Sequence, residues 1–273
     1  MVQDISIYGL SVVWIITFVL VTGRYLLFAG VAYLIFWVWK REKLQYKRTQ
    51  MEYPDKSKLV NEFKYSMITM VLFSFVGIGI FAAKQRGLTH IYQDFHSKGW
   101  GYFVFSVVAM IVIHDTYFYW THKLMHHKSI FKYVHKVHHN STNPSPWAAF
   151  SFHPLEAVIE AGILPLIVFT MPVHSLAILS FLIYMTFMNV LGHLGFELYP
   201  KGFTTHWFGK WHNTSTHHNM HHKFYNCNYG LYFNFWDRIM RTNHGSYTTT
   251  FEKVKARKPS ELLLAKNESL RSA

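Results

Sequence analysis

Long apolar runs are the feature that most limits how this chain can fold. The first run, residues 9–39, carries a single charge, Arg24. As a helix rising about 1.5 Å per residue it exceeds the roughly 30 Å hydrocarbon core of a bilayer. It is too short for two spans, so we predict one long or tilted transmembrane helix, or a span preceded by an interfacial segment, with the Arg24 side chain extending to the membrane surface. A cleaved signal peptide is the alternative interpretation.

Further apolar runs occupy residues 65–83, 100–120, 157–171 and 175–191. The last two are separated by only three residues, and each is short for a span. They therefore predict a helical hairpin whose two ends lie on the same face of the membrane and which is partly shielded from lipid by the rest of the protein. The fold class that follows is all-α, an integral membrane helical bundle of about four spans or span-equivalents.

Basic residues lie at the ends of these runs and account for most of the net charge of +13. Lysine and arginine concentrate in cytoplasmic loops, so their positions place residues 40–64, 121–156 and 193–273 on the cytoplasmic side. The glycosylation acceptor patterns at Asn140, Asn213 and Asn267 should then stay unmodified in a eukaryotic secretory membrane. A nucleic-acid-binding protein would instead carry its charge along one polar face, so no nucleic-acid partner is expected.

Histidine is the unusual residue in the composition. The chain has 19 histidines against 14 carboxylates, and twelve of them lie within residues 122–139 and 206–222. The single cysteine, Cys227, permits neither an internal disulfide nor a thiolate zinc cage. This clustering of imidazoles calls for a chemical explanation.

Three groups of histidines have a spacing of three or four residues, which places side chains on one face of a helix. They are His122 and His126; His135, His138 and His139; and His218, His221 and His222. Eight clustered histidines are too many for one four-coordinate ion, but they match two sites that each keep an open position. His193, which closes the hairpin, is the ninth predicted ligand. Glu197 either binds metal directly or orients a neighbouring imidazole.

The remaining histidines have other predicted roles. His127 and His217 should point away from the metal, His153 should begin a helix or support a ligand, and His114 should form a hydrogen bond inside the bundle. His206 and His212 are predicted at the membrane interface. His90, His96, His174 and His244 are predicted on the surface or in loops, so that His174→Ala should be nearly silent.

Imidazole ligands suit zinc, copper, iron and nickel, so the ligands do not by themselves identify the ion. A hydrolytic zinc site of the H-E-x-x-H kind needs a glutamate between its histidines, and none is present in these clusters. A membrane protein that binds or transports zinc or copper is the alternative to an enzyme. Its ligands would be expected inside the spans, whereas the clusters lie outside the apolar runs. A structural zinc cap is a third hypothesis.

Residues 114–242 resemble the fatty acid hydroxylase and sterol desaturase superfamily. The resemblance rests on HDTYFYWTHKLMH (114–126), HKVHH (135–139), FHP (152–154) and HHNMHH (217–222). The sequences NYG (228–230) and WDR (236–238) are most similar to the sterol C5-desaturase branch. Two positions depart from the pattern: Lys123 replaces an arginine found in many relatives, and Glu197 stands where fatty acid hydroxylases can offer another histidine. The second departure favours the sterol branch.

The resemblance implies an integral membrane di-iron enzyme that desaturates or hydroxylates a sterol-like or fatty-acyl lipid. Molecular oxygen would be the co-substrate, and a reductase or a small carrier such as cytochrome b5 or ferredoxin would supply electrons. The family's metal ligands correspond here to His122, His126, His135, His138, His139, His193, His218, His221 and His222. Zinc can replace iron in isolated protein, since the affinity order favours it.

The apolar runs and the histidine clusters also predict how the chain is divided and where it is located. We predict N-terminal transmembrane helices in residues 1–99, a catalytic domain in 100–245 and a basic polar tail in 246–273. The membrane would be the bacterial inner membrane or the endoplasmic reticulum, with the histidine-rich dimetal cap on the cytoplasmic face.

Overall fold

The computed structural model describes residues 7–260, and four of its helices are long and apolar enough to cross a membrane. They are Gly9–Trp39, Lys56–Gln85, Gly99–Met125 and Ser175–Gly192. Helices dominate the described chain, and its strands are two short segments. The predicted all-α membrane bundle with about four spans is therefore confirmed.

The first span is one continuous helix, as predicted. It begins as helix α1 (Ile7–Tyr25) and continues through two π-helical segments, Leu26–Gly30 and Tyr33–Trp39. After a short 3₁₀ turn at Gln45–Lys47, the second and third spans are helices α2 (Lys56–Gln85) and α3 (Gly99–Met125). Strand β1 (Ile91–Tyr92) and a 3₁₀ turn at Phe95–Ser97 lie in the connection between them.

The predicted hairpin consists of two short helices followed by one span. These elements are α6 (Pro154–Ala161), α7 (Ile163–Thr170) and α8 (Ser175–Gly192). Strand β2 (Val173–His174), at the tip, pairs in parallel with β1, with Ile91 opposite Val173. The tip therefore lies beside the α2–α3 connection, at the opposite end of the bundle from the histidine-rich segments.

The remaining elements form a cap at the other end of the bundle. They are α4 (Phe131–Val134), α5 (Lys136–His139), α9 (Ser215–Phe224), α10 (Phe235–Ile239), α11 (Tyr247–Ala256), and 3₁₀ turns at Pro146–Phe150 and Gly209–Trp211. Helix α11, in the segment predicted as a polar tail, packs the buried Tyr247 and Phe251 against Met220 of α9. Asn267 lies outside the described residues, and the division at residues 99 and 245 stays a prediction.

Arg24 does not extend to the membrane surface, and that prediction is wrong. Its Nε donates a hydrogen bond to Oγ1 of Thr186 in α8, over 2.9 Å. The residue lies at the midpoint of the Gly9–Trp39 helix, on the wall of a cavity between α1 and α8. A hydroxyl acceptor and a cavity at the same depth offer the guanidinium an environment that a lipid-facing side chain would lack.

His174 is buried, with 5% of its surface exposed, so its assignment as a surface or loop residue is also wrong. Its Nδ1 accepts a hydrogen bond from the backbone N–H of Leu176 in the first turn of α8, and its Nε2 lies 2.9 Å from the carbonyl oxygen of Gln93. The side chain therefore caps the fourth span and ties it to the α2–α3 connection.

We expect His174→Ala to lower the free energy of unfolding by about 1–2 kcal/mol, because it removes a helix cap and a second hydrogen bond. Thermal unfolding in detergent would measure this, with metal content unchanged. His96→Ala is the control, since His96 is exposed on the same connection. Equal unfolding temperatures for His174→Ala and the unmodified protein would contradict the capping role.

Candidate metal centre

Nine buried or partly buried histidines converge where the spans meet the cap. Group 1 contains His122, His126, His135, His139 and His221. Group 2 contains His138, His193, His218 and His222. Within each group the candidate ligand nitrogens all lie within 4.8 Å of one another. The structure thus brings together every histidine that the sequence predicts as a ligand.

Each H-x-x-H-H motif contributes to both groups. In the first motif the i and i+4 histidines, His135 and His139, belong to group 1, and His138 belongs to group 2. In the second motif the assignment is reversed, because His218 and His222 belong to group 2 and His221 to group 1. Neighbouring histidines in a helix differ in direction by about 100°. The paired histidines of each motif can therefore face two different ions.

The imidazole nitrogens approach one another closely within the groups. In group 1, Nε2 of His122 lies 3.0 Å from Nε2 of His135. In group 2, Nε2 of His193 lies 2.9 Å from Nε2 of His218. Such contacts require either a proton or a cation between the two nitrogens, since neutral imidazole carries only one N–H.

The partners of the opposite ring nitrogen indicate which possibility holds for His122 and His135. Nδ1 of His122 lies 2.8 Å from the carbonyl oxygen of Tyr229, which can only accept, so the proton is on Nδ1. Nδ1 of His135 lies 2.8 Å from Oε1 of Glu156, although the two groups are not aligned as a hydrogen bond. With the His135 proton on Nδ1, beside this carboxylate, both Nε2 atoms present lone pairs to each other. A bound cation removes the repulsion, so this donor set fits a metal.

Three other histidines have the same kind of anchor. Nδ1 lies 2.7–2.8 Å from a carbonyl oxygen in His221 (Cys227), His222 (Ser141) and His193 (Asn189). Each anchor fixes both the ring orientation and the tautomer, and leaves Nε2 free to bind a metal.

The predicted ligands His126, His139 and His193, which lie outside the spans, are held in the neutral form. Burial lowers the pKa of His126 to about 2, and the neighbouring His122 lowers it further. Burial lowers the pKa of His193 to about 4, although its bond to Asn189 acts in the opposite direction. For His139, burial and the neighbouring imidazoles hold the pKa well below its usual value. Neutral imidazoles are the form that binds metal.

Glu197 positions a helix and does not belong to either histidine group. Its Oε2 accepts hydrogen bonds from the backbone N–H and the hydroxyl of Thr216, at 3.0 and 2.7 Å, and its Oε1 accepts from the backbone N–H of Tyr199. It therefore caps the first turn of α9, where a carboxylate also interacts favourably with the helix dipole. Of its two predicted roles, the geometry favours orienting the ligands that α9 carries.

Asp237 is a positioning residue whose role the sequence did not reveal, although its WDR motif contributed to the family resemblance. Its carboxylate accepts hydrogen bonds from the backbone N–H groups of Tyr229 and Gly230, at 2.9 and 2.8 Å, and from Thr242 Oγ1. This holds the turn whose Tyr229 carbonyl anchors His122. A Cβ at Gly230 would collide with the carbonyl oxygen of Phe233, so only glycine fits this turn. The NYG and WDR sequences therefore act together, because the Asp237 carboxylate holds the turn that orients His122.

The structure agrees with the roles predicted for four histidines outside the two groups. Nδ1 of His114 lies 2.7 Å from the hydroxyl of Tyr232 inside the bundle. His153 begins α6, where its Nδ1 accepts from the N–H of Leu155. His127 is exposed, and His217 is buried 3.8 Å from Asp237.

Glu156 was missed because only its contact with His135, 21 positions earlier, reveals its role. We expect Glu156→Gln to weaken metal binding by about 10- to 100-fold, as is usual when a carboxylate partner of a metal-binding histidine is lost. Competition with a chelator followed by metal analysis would measure the change. Glu160→Gln is the matched control, one turn further along α6 and also buried. The expectation fails if both variants lose metal equally.

Comparison with known proteins places this geometry in a family. Residues 107–242, which include all nine histidines, match the family model for fatty acid hydroxylases. Delta(7)-sterol 5(6)-desaturase ERG3B of Gibberella zeae is 30% identical over 185 residues, which are 66% of this chain and 56% of the relative. Lathosterol oxidase of Rattus norvegicus is 28% identical over 198 residues, 71% of this chain and 64% of the relative.

Lathosterol oxidase of Homo sapiens is 29% identical over 193 residues, 69% of this chain and 63% of the relative. The chain thus spans less than two thirds of the length of these three relatives. No solved structure matches it. The matched segment, its motifs and these relatives lead to one conclusion: the chain belongs to the fatty acid hydroxylase family, in the branch that resembles the sterol desaturases.

Proposed function

We propose that this protein is a membrane-bound non-haem di-iron oxidoreductase that desaturates or hydroxylates a lipid with molecular oxygen. The observation that carries the proposal is the convergence of nine histidines into two groups with metal-binding spacing. Groups 1 and 2 would hold two iron ions, which when bound supply oxygen activation and hydrogen abstraction from an unactivated C–H bond. Metal transport is not favoured, because both groups lie at the end of the bundle and not along it.

A cavity beside the histidines supports a lipid substrate. It has a volume of about 610 Å³ and an almost entirely apolar wall contributed by all four spans. Two of its aromatic residues touch the histidines, with Phe118 4.8 Å from His122 and Phe152 5.3 Å from His138 between ring centroids. A chain or ring system bound there would lie next to the candidate metal centre, with water excluded by the apolar wall.

The cavity wall also reaches the lipid-facing surface of the bundle. Leu20 and Leu27 of the first span line the cavity, and they are 65% and 61% exposed. Leu179 and Ile183 of α8 line it from the other side and are exposed as well. Residues of both helices that face the bilayer therefore border the cavity. A lipid can enter sideways between α1 and α8 without crossing the polar headgroup region.

The relatives favour a sterol-like substrate, because their names describe desaturation at a sterol ring and oxidation of lathosterol. Desaturation is therefore our first choice and hydroxylation the second, since both begin with the same hydrogen abstraction. Either reaction needs electrons from an external donor such as cytochrome b5, ferredoxin or a reductase. Residues 116–155 and 198–236 contain no carboxylate, so the cap is positively charged and suits an acidic carrier.

The test is to supply purified protein with iron, a reductase system, isotopically labelled oxygen and candidate lipids, and to analyse the products by mass spectrometry. Loss of two hydrogens without label supports desaturation, and gain of one labelled oxygen supports hydroxylation. Lipid hydrolysis without any need for oxygen would refute the proposal. Bound metal without oxygen consumption, for every lipid and donor tried, would instead favour a metal-binding protein.

We also expect the cap to face the cytoplasm, because basic residues flank the spans on that side. In bacterial cells that express the protein, Ser129→Cys, in the cap, should react with a membrane-impermeant thiol reagent only after permeabilisation. His96→Cys, in the α2–α3 connection, should react in the intact cells. Both positions are exposed. Burial raises the pKa of Cys227 to about 12, so the native thiol gives little background.

The opposite labelling pattern would place the cap outside. Two of the glycosylation acceptor asparagines lie within the described residues. Only Asn140 can test the predicted absence of glycosylation, because Asn140 is exposed and Asn213 is buried.

A further inference from the structure

Arg24 carries a positive charge in the middle of the first span, and its surroundings do not neutralise it. Among the described residues its one hydrogen-bond partner is the hydroxyl of Thr186, which accepts from Nε over 2.9 Å. Among residues 7–260, no carboxylate oxygen lies within 4.0 Å of the guanidinium. The two terminal nitrogens therefore have donors that no described residue satisfies. Charged groups inside a membrane usually face a cavity and mark a ligand site.

The cavity wall is apolar apart from a few groups, and most of these already have partners. His114 is bonded to the hydroxyl of Tyr232, and the amide of Asn189 donates to the carbonyl oxygen of Ala149. Glu160 also lines the cavity, but its Oε1 is buried without a hydrogen-bond partner. Among the described residues that line the cavity, Arg24 is thus the only one whose side chain can donate but not accept a hydrogen bond. Its fork of N–H groups matches an oxygen acceptor.

The distance between Arg24 and the candidate metal centre leaves room for the apolar part of a lipid. Thr186, its partner, precedes His193 by seven residues in the same helical run, which corresponds to about 10 Å of helix rise. A ligand oxygen held at Arg24 would leave the apolar body of the molecule between that point and the histidines. The guanidinium would then determine which end of the lipid points away from the reacting carbon.

Resting on the proposed function, we infer that Arg24 is a specificity-determining residue that binds the polar oxygen group of the lipid substrate. The ligand class is an elongated apolar molecule with a single oxygen acceptor, either a hydroxyl or a carboxylate. An analogue without that oxygen leaves the guanidinium, in the middle of the first span, unsatisfied and should be rejected.

The test is equilibrium binding to the metal-loaded protein in lipid nanodiscs under anaerobic conditions, so that neither oxygen nor turnover is involved. The probes are two matched pairs: a 3-hydroxysterol with its 3-deoxy analogue, and a long-chain fatty acid with the corresponding alkane. We expect the unmodified protein to bind the oxygenated member of one pair about 10- to 100-fold more tightly, the range for a hydrogen bond to a charged group. The pair that is discriminated identifies the hydroxyl or the carboxylate as the ligand group.

Variants of Arg24 assign this preference to the guanidinium. Arg24→Leu should bind both members of the pair equally, and Arg24→Lys, which keeps the charge but not the fork, should retain part of the preference. Arg86→Leu is the matched control, since Arg86 is exposed at the end of α2 and away from the cavity. Should Arg24→Leu fail to fold, a full preference in Arg24→Lys would still overturn the role of the fork.

The inference is overturned if the unmodified protein discriminates in neither pair, or if Arg24→Leu keeps the preference. Its failure is separable from failure of the proposed function. Discrimination in the binding assay with no oxygen-dependent product would refute the oxygenase and leave the ligand site standing. Oxygen-dependent product with no effect of Arg24→Leu on binding would do the reverse.

Discussion

Replacing His138 or His221 with alanine is expected to abolish oxygen-dependent turnover and to remove bound metal. His221 belongs to group 1 and His138 to group 2, so each change breaks a different set of donors. Both side chains are buried among other imidazoles, and alanine offers no substitute ligand. Because the two ions would act as one unit, we expect activity to fall on the order of 10³-fold or more in either variant.

Metal analysis and an activity assay, performed on the same preparations, would measure both effects. His127→Ala is the matched control, because His127 follows His126 directly but is exposed. We expect the control to keep its metal and nearly all of its activity. Full metal content in His138→Ala and His221→Ala, or an equal loss in the control, would show that ligation is not the role of these residues.

The histidine pattern was predictable from the sequence because its physical basis is local. Spacings of three and four residues fix the face on which a helical side chain lies, so the first and second H-x-x-H-H motifs could be identified without knowing their partners. The division of each motif between two groups was not predictable in the same way. It depends on how α5 and α9 are rotated against each other, which is a property of packing.

The groups that orient the ligands were largely missed. His122 is anchored by a backbone carbonyl 107 residues away, at Tyr229, and a backbone carbonyl has no signature in the sequence. Glu156 and Asp237 are ordinary acidic residues until the fold places them beside His135 and the Tyr229 turn. Glu197 was singled out, but only the structure decided between its two roles.

The predictions about the exposure of polar residues failed where the fold supplied a hydrogen-bond partner that the sequence does not reveal. Composition showed that Arg24 was the only charge in the first run, but not that Thr186 would lie opposite it. The same limit applies to His174, whose partners lie 81 residues earlier and two residues later. Apolar length, by contrast, is a property of one segment, and the number of spans was predicted correctly.

Gly23→Trp is expected to obstruct the cavity and to reduce kcat/KM for a lipid substrate. Gly23 lies on the cavity wall next to Arg24, and a Cβ added there would have no atom within 4 Å. Space is therefore open at the point where an indole side chain would begin. If the indole takes about 100 Å² of apolar wall away from the lipid, the loss at about 25 cal/mol per Å² is about 2.5 kcal/mol. This corresponds to a roughly 70-fold decrease in kcat/KM.

Gly79→Trp separates this effect from the general cost of a bulky residue in a span. Gly79 is an exposed glycine of α2, a Cβ there would also meet no atom, and it does not line the cavity. We expect Gly79→Trp to keep its activity, and both variants to keep their metal, because neither position approaches the histidines. Steady-state kinetics with a lipid substrate would measure the difference. Unchanged kcat/KM in Gly23→Trp would mean that the substrate reaches the histidines by a route other than the opening between α1 and α8.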